Sequence, residues 1–322
     1  MKKVFIFLLL IVLSAVIFVS CNQDQGVTIN VVMPDGAPAL VMAKAIYDKF
    51  SYEGYDINFE IVAGAPNIQA AMFSGDADIA VLPSNMAANL YNGGIDIKLL
   101  STNVFGLLYL VSNQPFEDIN SLKGKVVYNL GQGNTPDFVF KYVLELNDIE
   151  YVEQDTPVQG KVALRYAANA QNLISMMVAG QADYAVLGEP QVSQALAVTQ
   201  DSDNPFEIVL NLQEEWTDGY PQVATVAKNS VIQNHADMLD ALLEVVKDNV
   251  EWVVKNADKA VAALQEHGSN ISGFSSQTII RCNIGFVPSQ EAKEGIEEYF
   301  EVMHEFNPNF IGKKMPDNGF YR

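Results

Sequence analysis

The chain has 322 residues, of which 49% are hydrophobic, and its formal net charge is −20. The length accommodates two domains of ordinary size, and the apolar content is typical of a globular protein. The negative charge argues against nucleic acid or an anionic membrane surface as a direct partner, because both would repel it.

The first residues have the pattern of an export signal. Two lysines at 2 and 3 precede an almost purely apolar run over 4–19. This run is short for a membrane span of about 20 residues, so an uncleaved membrane anchor is the weaker interpretation. The pattern therefore predicts that the chain is exported.

Cys21 follows the apolar run and a small residue, which resembles the bacterial lipoprotein signal. The resemblance implies that 1–21 is a signal peptide, that Cys21 is lipidated and that 22–26 is a tether. Phe18 departs from the Leu that is usual three positions before the cysteine, and a plain signal-peptide cysteine is the alternative. The other cysteine, Cys282, then has no disulfide partner and is interpreted as a small buried apolar residue.

Strands and helices alternate in the first part of the mature chain. The β-branched run 26–32 and the alternating run 55–62 predict strands, with a helix over 38–50 between them. A short helix follows at 68–73 and a buried strand at 79–82. This βαβαβ order is typical of a parallel sheet that is covered by helices.

The sequence around this last strand occurs twice. Seven of eleven residues agree between MFSGDADIAVL at 72–82 and MVAGQADYAVL at 177–187. Two unrelated helix–turn–strand units that share turn residues are one interpretation. We favour a chain built from two similar halves, because other matches surround the repeat.

The second half repeats the order of elements. Residues 125–129 predict a strand, and Thr135 is the predicted N-cap of the helix that follows. A weaker strand lies within 155–165, a helix covers 170–178 and a strand covers 184–187. The sequence therefore predicts two α/β lobes of similar plan.

Two extended apolar stretches, 107–111 and 222–227, lie where the chain would cross between the lobes. Beyond the second stretch, 236–255 and 291–306 carry apolar residues at helical spacing, which predicts packing faces rather than a cofactor site. The predicted lobes are 27–108 plus 222–322 for the first and 109–221 for the second.

Candidate binding residues lie in the loops that follow the predicted strands. In open parallel sheets, ligands bind beyond the carboxyl ends of the strands, and free N–H groups at helix starts bind polar or anionic groups. Gly and Pro usually make turns, so each loop alone is a weak signal, but five equivalent loops are a stronger one. The residues predicted to contact a ligand are Asp35, Gly36, Ala37, Gly64, Ala65, Asn67, Ser84, Asn85, Asn103, Gln132, Gly133, Asn134, Thr135 and Glu189.

Two charged residues and several aromatic residues have alternative interpretations. Glu189 is either a solvated acid or an acceptor for a ligand N–H or O–H group, which would favour a nitrogen heterocycle or a cation. Arg165 is either a structural residue or a bidentate clamp for an acidic group. Aromatic residues near the crossings that either stack on a ligand ring or pack in the core are Phe105, Tyr109, Trp216 and Tyr220.

The sequence does not predict catalysis. All three histidines, His235, His267 and His304, lie in the late helical region. GQGNTP at 131–136 lacks the Lys-Ser/Thr pair of a P-loop and does not fit GxGxxG. No metal-ligand spacing and no nucleophile–base–orienter set are present. We therefore predict a protein that is not an enzyme and has no cofactor or metal.

Several segments together resemble a known family. They are the lipoprotein-like start, MPDGAPAL after the first strand, the blocks GDADIAVLPS and GQADYAVLGEP, and the ending RCNIGFVP…EFNPNFIGKKMPDNGFY. They are similar to the substrate-binding lipoproteins of ABC transporters, in the NMT1/THI5-like group of sulfonate, nitrate and thiamine-pyrimidine binders. The resemblance covers nearly the whole mature chain. It implies a type II periplasmic-binding-protein fold, with two α/β lobes joined by two crossover strands.

The same resemblance implies a role in uptake. The protein would capture a small polar or heteroaromatic solute between its lobes by hinge closure and deliver it to a permease with a cytoplasmic ATPase. We expect a monomer, lipid-anchored and facing the periplasm or the cell exterior. Two alternatives stay open: an enzyme on the same fold acting on a pyrimidine or menaquinone-pathway precursor, and a sensor lipoprotein without transport.

Overall fold

The computed structural model describes residues 26–216 and 219–322. The predicted signal peptide, Cys21 and most of the tether lie outside the described residues. The strands within them are β1 (Val27–Pro34), β2 (Tyr55–Val62), β3 (Ile79–Pro83), β4 (Ile97–Val104), β5 (Leu108–Ser112), β6 (Val126–Leu130), β7 (Tyr151–Glu153), β8 (Val162–Ala167), β9 (Tyr184–Gly188), β10 (Glu207–Asn211), β11 (Val223–Lys228) and β12 (Ile284–Pro288).

Helices connect these strands and form most of the C-terminal part. The α-helices are α1 (Ala43–Tyr47), α2 (Ala65–Ser74), α3 (Ser84–Asn92), α4 (Thr135–Leu146), α5 (Ala170–Val178), α6 (Gln191–Thr199), α7 (Asn229–Asn234), α8 (Ala236–Lys255), α9 (Ala257–Glu266), α10 (Ser276–Arg281) and α11 (Ser289–Phe306). Short 3₁₀ helices cover Ala37–Met42, Ile119–Leu122, Pro308–Ile311 and Asn318–Phe320.

The strands form two six-stranded sheets that share a five-stranded plan, with β12 added beside β4 in the first sheet and β7 added beside β8 in the second. The first has the order β12-β4-β11-β3-β1-β2 and the second has the order β10-β5-β9-β6-β8-β7. β1 pairs in parallel with β2 and β3, and β6 pairs in parallel with β8 and β9. β11 and β5 run antiparallel to β3 and β9. This architecture confirms the predicted fold class of two α/β lobes.

The repeated segments occupy equivalent places in the two lobes. Met72 and Met177 are both buried, and they lie near the ends of α2 and α5. Gly75 and Gly180 follow with φ angles of 88° and 68°, which glycine adopts without steric cost. The buried strands β3 and β9 complete the two copies. Similar sequence thus encodes one helix–turn–strand unit twice.

The C-terminal helix joins the lobes. Helices α8, α9 and α10 cover one face of the first sheet, whereas α2, α3 and α11 pack on a hydrophobic cluster that continues into the second lobe. In that cluster, the ring of Phe138 from α4 lies 5.8 Å from the ring of Tyr299, 6.0 Å from Phe306 and 5.7 Å from Phe310. These contacts connect the lobes in addition to the two chain crossings.

The chain crosses between the sheets at 105–107 and 212–222, directly beside the apolar stretches predicted to make the crossings. Gly106, in the first crossing, has a φ of +84°, and a Cβ built there would lie 2.4 Å from Cγ of Gln213 and 2.8 Å from the ring of Tyr220. A side chain at this position would therefore clash with the second crossing, and its residue would also have an unfavourable backbone conformation.

We expect Gly106→Ala to lower the free energy of unfolding by about 1 to 3 kcal/mol more than Gly94→Ala does, because it adds overpacking to the shared backbone strain. Gly94 is the matched control, since its φ is +92° and a Cβ added there would have no atom within 4 Å. Urea unfolding of both variants measures the difference. Equal losses would show that the crossings are not tightly packed against each other.

Two local predictions are wrong. The segment predicted as one helix over 38–50 is a 3₁₀ helix followed by α1, because the side chain of Asn249 inserts between Leu40 and Lys44. Its Oδ1 accepts a hydrogen bond from the Lys44 N–H at 2.9 Å and its Nδ2 donates to the Leu40 carbonyl at 2.9 Å. The N-cap of α4 is Asn134 rather than Thr135, whose backbone is already helical.

Candidate functional site

The five predicted loops follow the carboxyl ends of β1, β2, β3, β6 and β9. β3 and β4 both end at the edge where β11 begins between them, and β5 begins beside the end of β9. Both sets of loops therefore lie at the edge where the chain crosses. We call this space the cleft, with a first rim formed by the loops of the first lobe and a second rim formed by those of the second lobe.

Asp35 and Gly36 follow β1 on the first rim. The Asp35 carboxylate accepts hydrogen bonds from the backbone N–H groups of Gly36 and Asn270, both at 2.9 Å, and from the Ser269 hydroxyl. Partial burial raises the pKa of Asp35, but these hydrogen bonds outweigh it and hold the pKa below its usual value. Ala37 is buried and begins the 3₁₀ helix. Asp35 is therefore ionised at neutral pH.

The loops after β2 and β3 complete the first rim. Gly64 and Ala65 lie at the start of α2, and the backbone N–H of Asn67 donates to the Gly64 carbonyl at 3.1 Å. Ser84 is fully buried and donates its hydroxyl to the carbonyl of Pro221 in the second crossing. Asn85 is half-buried beside it. Ser84 thus ties the first rim to a crossing segment.

Asn103 lies inside the first lobe. Its side chain is fully buried, and its Oδ1 accepts hydrogen bonds from the hydroxyls of Ser101 at 3.1 Å and Thr225 at 2.7 Å. Its Nδ2 donates to the carbonyl of Gly285 at 3.4 Å. Asn103 is thereby separated from the other predicted ligand residues, which the structure brings together on the rims.

The loop after β6 forms the centre of the second rim. Nε2 of Gln132 donates to Glu153 at 2.7 Å, and the backbone N–H of Gly133 donates to Asp137 at 2.8 Å. Asn134 is exposed, and Thr135 begins α4. The carboxylates of Glu153 and Asp137 therefore fix the position of this loop.

These carboxylates belong to a buried ionic network. The ammonium group of Lys141 lies 3.0 Å from Asp137 Oδ2 and 2.6 Å from Glu153 Oε1, and Asp137 is fully buried. The hydroxyl of Tyr166 donates to Asp137 at 2.7 Å. Burial lowers the pKa of Lys141, but the two carboxylates outweigh it and hold the pKa above its usual value. Two carboxylates therefore share one ammonium group.

The carboxylate of Glu189, at the end of β9, is occupied by residues of the protein. It forms an ion pair with Arg281 of α10, and its side chain has no exposed surface. Ser193 donates its hydroxyl to Glu189 at 2.9 Å and lies 2.9 Å from the hydroxyl of Thr278. The pair connects α10 of the first lobe to the second rim. Sequence reasoning missed Arg281, whose only signal was that the chain has few arginines.

The remaining candidates are also engaged within the protein. Nε of Arg165 lies 3.1 Å from Asp155, and its Nη1 donates to the hydroxyl of Tyr128 at 2.8 Å. Trp216 and Tyr220 pack against neighbouring aromatic rings, with 5.4 Å between their own ring centroids. Aromatic residues of the crossings thus contribute to the packing between the lobes.

Tyr109 lies beside the end of α10, and Phe105 lies beside the start of β12. The hydroxyl of Tyr109 donates to the carbonyl of Arg281 at 2.8 Å, and a Cβ on Gly285 would lie 2.7 Å from the ring of Phe105. Both rings therefore have packing roles at the crossing. Sequence reasoning also missed the loop after β8, in which Asn169 caps α5 by accepting the N–H of Asn172 at 2.9 Å.

Helix starts supply open donors in the cleft. α2, α3 and α4 begin at the rims without a side-chain cap hydrogen bond. The N–H groups of Asn67, Ser84 and Asp137 already donate to backbone carbonyls, so the open donors are the other N–H groups of each first turn. Free N–H groups at such positions bind polar or negatively polarised atoms of a ligand. Among residues 26–216 and 219–322, no group of three or more His, Cys, Asp or Glu side chains could hold a metal ion, and no helix is long and apolar enough to cross a membrane.

The hydrogen bonds to Asp35 predict a pH dependence of stability. Because its folded pKa lies below the ordinary value of 3.8, its contribution is full above that value and is lost as the pH falls through the folded pKa. We expect the melting-temperature difference between wild type and Asp35→Asn to shrink between about pH 5 and about pH 2. The matched control is Asp56→Asn at an exposed position of β2. A difference that stays constant over this range would contradict the prediction.

No protein-family model matches this chain. No curated protein matches it either. Solved structures do match: the crystal structure of an ABC transporter from Parabacteroides distasonis is 29% identical, covers 92% of this chain and 98% of its own, and gives a TM-score of 0.75.

Two further structures share the architecture at lower identity. The periplasmic aliphatic sulphonate binding protein SsuA from Escherichia coli is 13% identical over 92% of each chain, with a TM-score of 0.68. The ligand binding component of an ABC-type import system from Staphylococcus aureus, solved with zinc bound, is 11% identical over 92% of this chain and 96% of its own, with a TM-score of 0.63. This chain therefore has the periplasmic-binding-protein fold of ABC-transporter substrate-binding proteins.

Proposed function

We propose that the protein is the solute-binding component of an ABC importer. It captures a small polar or heteroaromatic molecule in the cleft and delivers it to a membrane permease with a cytoplasmic ATPase. The observation that carries the proposal is the cleft itself, in which the loops of two similar lobes meet at the edge where the chain crosses twice between them. Ligands of open α/β sheets bind at this edge.

The chemistry of the rims supports binding rather than reaction. Open N–H groups at the starts of α2, α3 and α4 supply donors, and the residues that carry charge at the rims are engaged with other residues of the protein. The sulfonate, nitrate and pyrimidine or thiamine-precursor classes named by the sequence resemblance are the solutes to examine first. The structural likeness to importer proteins, 29% identical in one case, favours the same role.

The export signal and the likeness in sequence complete the proposal. We propose that the chain belongs to the NMT1/THI5-like group and that Cys21 carries a lipid anchor facing the periplasm or the cell exterior. The predicted ligand residues with exposed surface form the part of the cleft that contacts the solute, whereas Ala37, Ser84, Asn103 and Glu189 are buried and support it from within the protein. The protein acts as a monomer with one solute bound between its lobes.

Thermal melting against a solute panel tests the proposed function. The panel holds pyrimidines, thiamine precursors, flavins, sulfonates, nitrate, amino acids and polyamines. A solute present at 100 times its Kd stabilises the protein by about 2.7 kcal/mol, which shifts the melting temperature measurably. One clear hit that is recovered chemically unchanged supports solute binding. Turnover of the solute would instead support an enzyme, and a flat panel would contradict solute capture.

A further inference from the structure

The rims of the cleft contain no cationic side chain. Lysine and arginine are both absent from the loops that follow β1, β2, β3, β6, β8 and β9, and the one lysine in the loop after β7, Lys161, is paired with Glu150. The six loops are 35–38, 63–67, 83–85, 131–135, 167–170 and 188–190. The described parts of the second crossing, 212–216 and 219–222, also have acidic residues and no basic ones. A charged anion in the cleft would therefore depend on neighbouring elements for a counter-charge.

The cations nearest to the rims are already paired. Arg281 is paired with the buried Glu189, and its Nη2 donates to Ser193 at 2.6 Å. Lys141 lies between Asp137 and Glu153. Arg165 is paired with Asp155, as described above. Each of these pairs is neutral or negative as a unit, so none offers a free positive charge to a ligand.

Negative charge, in contrast, is in excess on both rims. Asp35 on the first rim is held by hydrogen bonds from uncharged donors only. On the second rim Asp137 and Glu153 share the single ammonium of Lys141, which leaves one negative charge in excess. The side chain of Glu153 is 43% exposed at the edge of the sheet, where a solute can reach it.

The helix starts do not reverse this balance. Each carries a partial charge of about +0.5, which acts only over the first turn. The excess charges on the two rims are full unit charges, and a low-dielectric cleft lined by one sign of charge concentrates its field. The field in the cleft therefore favours a positive solute, while the helix N–H groups remain available for its neutral acceptor atoms.

We propose that the solute carries a positively charged nitrogen, so that the cleft selects organic cations over sulfonates and nitrate. The inference rests on the proposed function and narrows its solute class. The positive nitrogen lies between Asp35 on the first rim and Glu153 on the second, and lobe closure brings both carboxylates towards it. Acceptor atoms elsewhere in the solute receive hydrogen bonds from the helix starts.

Calorimetry with solutes of opposite charge tests this inference. The probes are thiamine and spermidine as organic cations, and ethanesulfonate and nitrate as anions. We expect a cation to bind and its affinity to fall about tenfold between 20 mM and 300 mM salt, because screening weakens the attraction. Tighter binding of either anion would overturn the charge selectivity and leave solute capture intact. Failure of all four probes, together with a flat solute panel, would overturn both proposals.

Three variants test which residues supply the negative charge that attracts the cation. Asp35→Asn and Glu153→Gln should each weaken binding of the cation about tenfold, since each removes one unit of attraction. Glu150→Gln is the matched control, because Glu150 is 73% exposed and pairs with Lys161 on the same lobe. Its effect should stay within about twofold, as is usual for surface pairs. Equal effects of all three variants, or tighter cation binding by Asp35→Asn, would overturn the inference.

Discussion

We expect Lys141→Met to lower the free energy of unfolding by about 3 to 5 kcal/mol, the cost of breaking a buried ion pair from one side. Asp137 is fully buried and would lose its cationic partner, although the N–H of Gly133 and the hydroxyl of Tyr166 still donate to it. A methionine fills much of the lysine volume, so the lost free energy of unfolding comes from the missing charge rather than from a cavity. Urea unfolding followed by circular dichroism measures it.

Lys161→Met is the matched control for this variant. Lys161 also pairs with a glutamate of the second lobe, but the side chains of Lys161 and Glu150 are 44% and 73% exposed. A pair that is hydrated to this extent contributes little to the free energy of unfolding, because solvent screens it. Similar losses for the two variants would show that burial of the Lys141 ion pairs beneath the second rim adds no stability.

A second large loss of stability is expected when the Arg281–Glu189 ion pair between the lobes is broken. Arg281→Met leaves the carboxylate of Glu189 buried with only Ser193 to donate to it, because the Glu189 side chain has no exposed surface. We expect a loss of about 3 to 5 kcal/mol in the free energy of unfolding. Since α10 belongs to the first lobe and Glu189 to the second, the same change loosens the contact between them.

A double-mutant cycle separates the ion pair from other effects of the substitution. In a Glu189→Gln background, the carboxylate is replaced by a neutral amide that Ser193 can still bind. Arg281→Met should then cost about 1 kcal/mol or less, so that the two changes are strongly non-additive. Additive losses would show that Arg281 stabilises the protein without its pairing to Glu189.

Local patterns were sufficient to predict two α/β lobes of similar plan. The repeat at 72–82 and 177–187 predicted two copies of one helix–turn–strand unit, and α2–β3 and α5–β9 are those copies. The helices over 170–178 and 236–255 have the predicted bounds, because their apolar spacing is regular and uninterrupted. Periodicity and turn residues are local properties, and a single sequence displays them directly.

Contacts between distant residues could not be predicted in this way. Asn249 interrupts the helix near Leu40 although the two residues are 209 positions apart. Glu189 was predicted at the correct strand end, but its pairing with Arg281, 92 positions away, was invisible in the sequence. The contact of the predicted residues with a solute stays a prediction, since it depends on how the rims approach each other when the lobes close.

The measurement that tests solute capture most directly is the distance between the lobes with and without solute. Asp56 on β2 and Gln159 beyond β7 are exposed, and both lie at the sheet edges farthest from the crossings. Spin labels are attached to Asp56→Cys and Gln159→Cys in a chain that begins after Cys21, and double electron–electron resonance measures the distance between them. Cys282 is fully buried, so it is not labelled. The account predicts a shorter and narrower distance distribution when the solute found by thermal melting is saturating. A solute that binds tightly and leaves the distribution unchanged would contradict capture between two closing lobes.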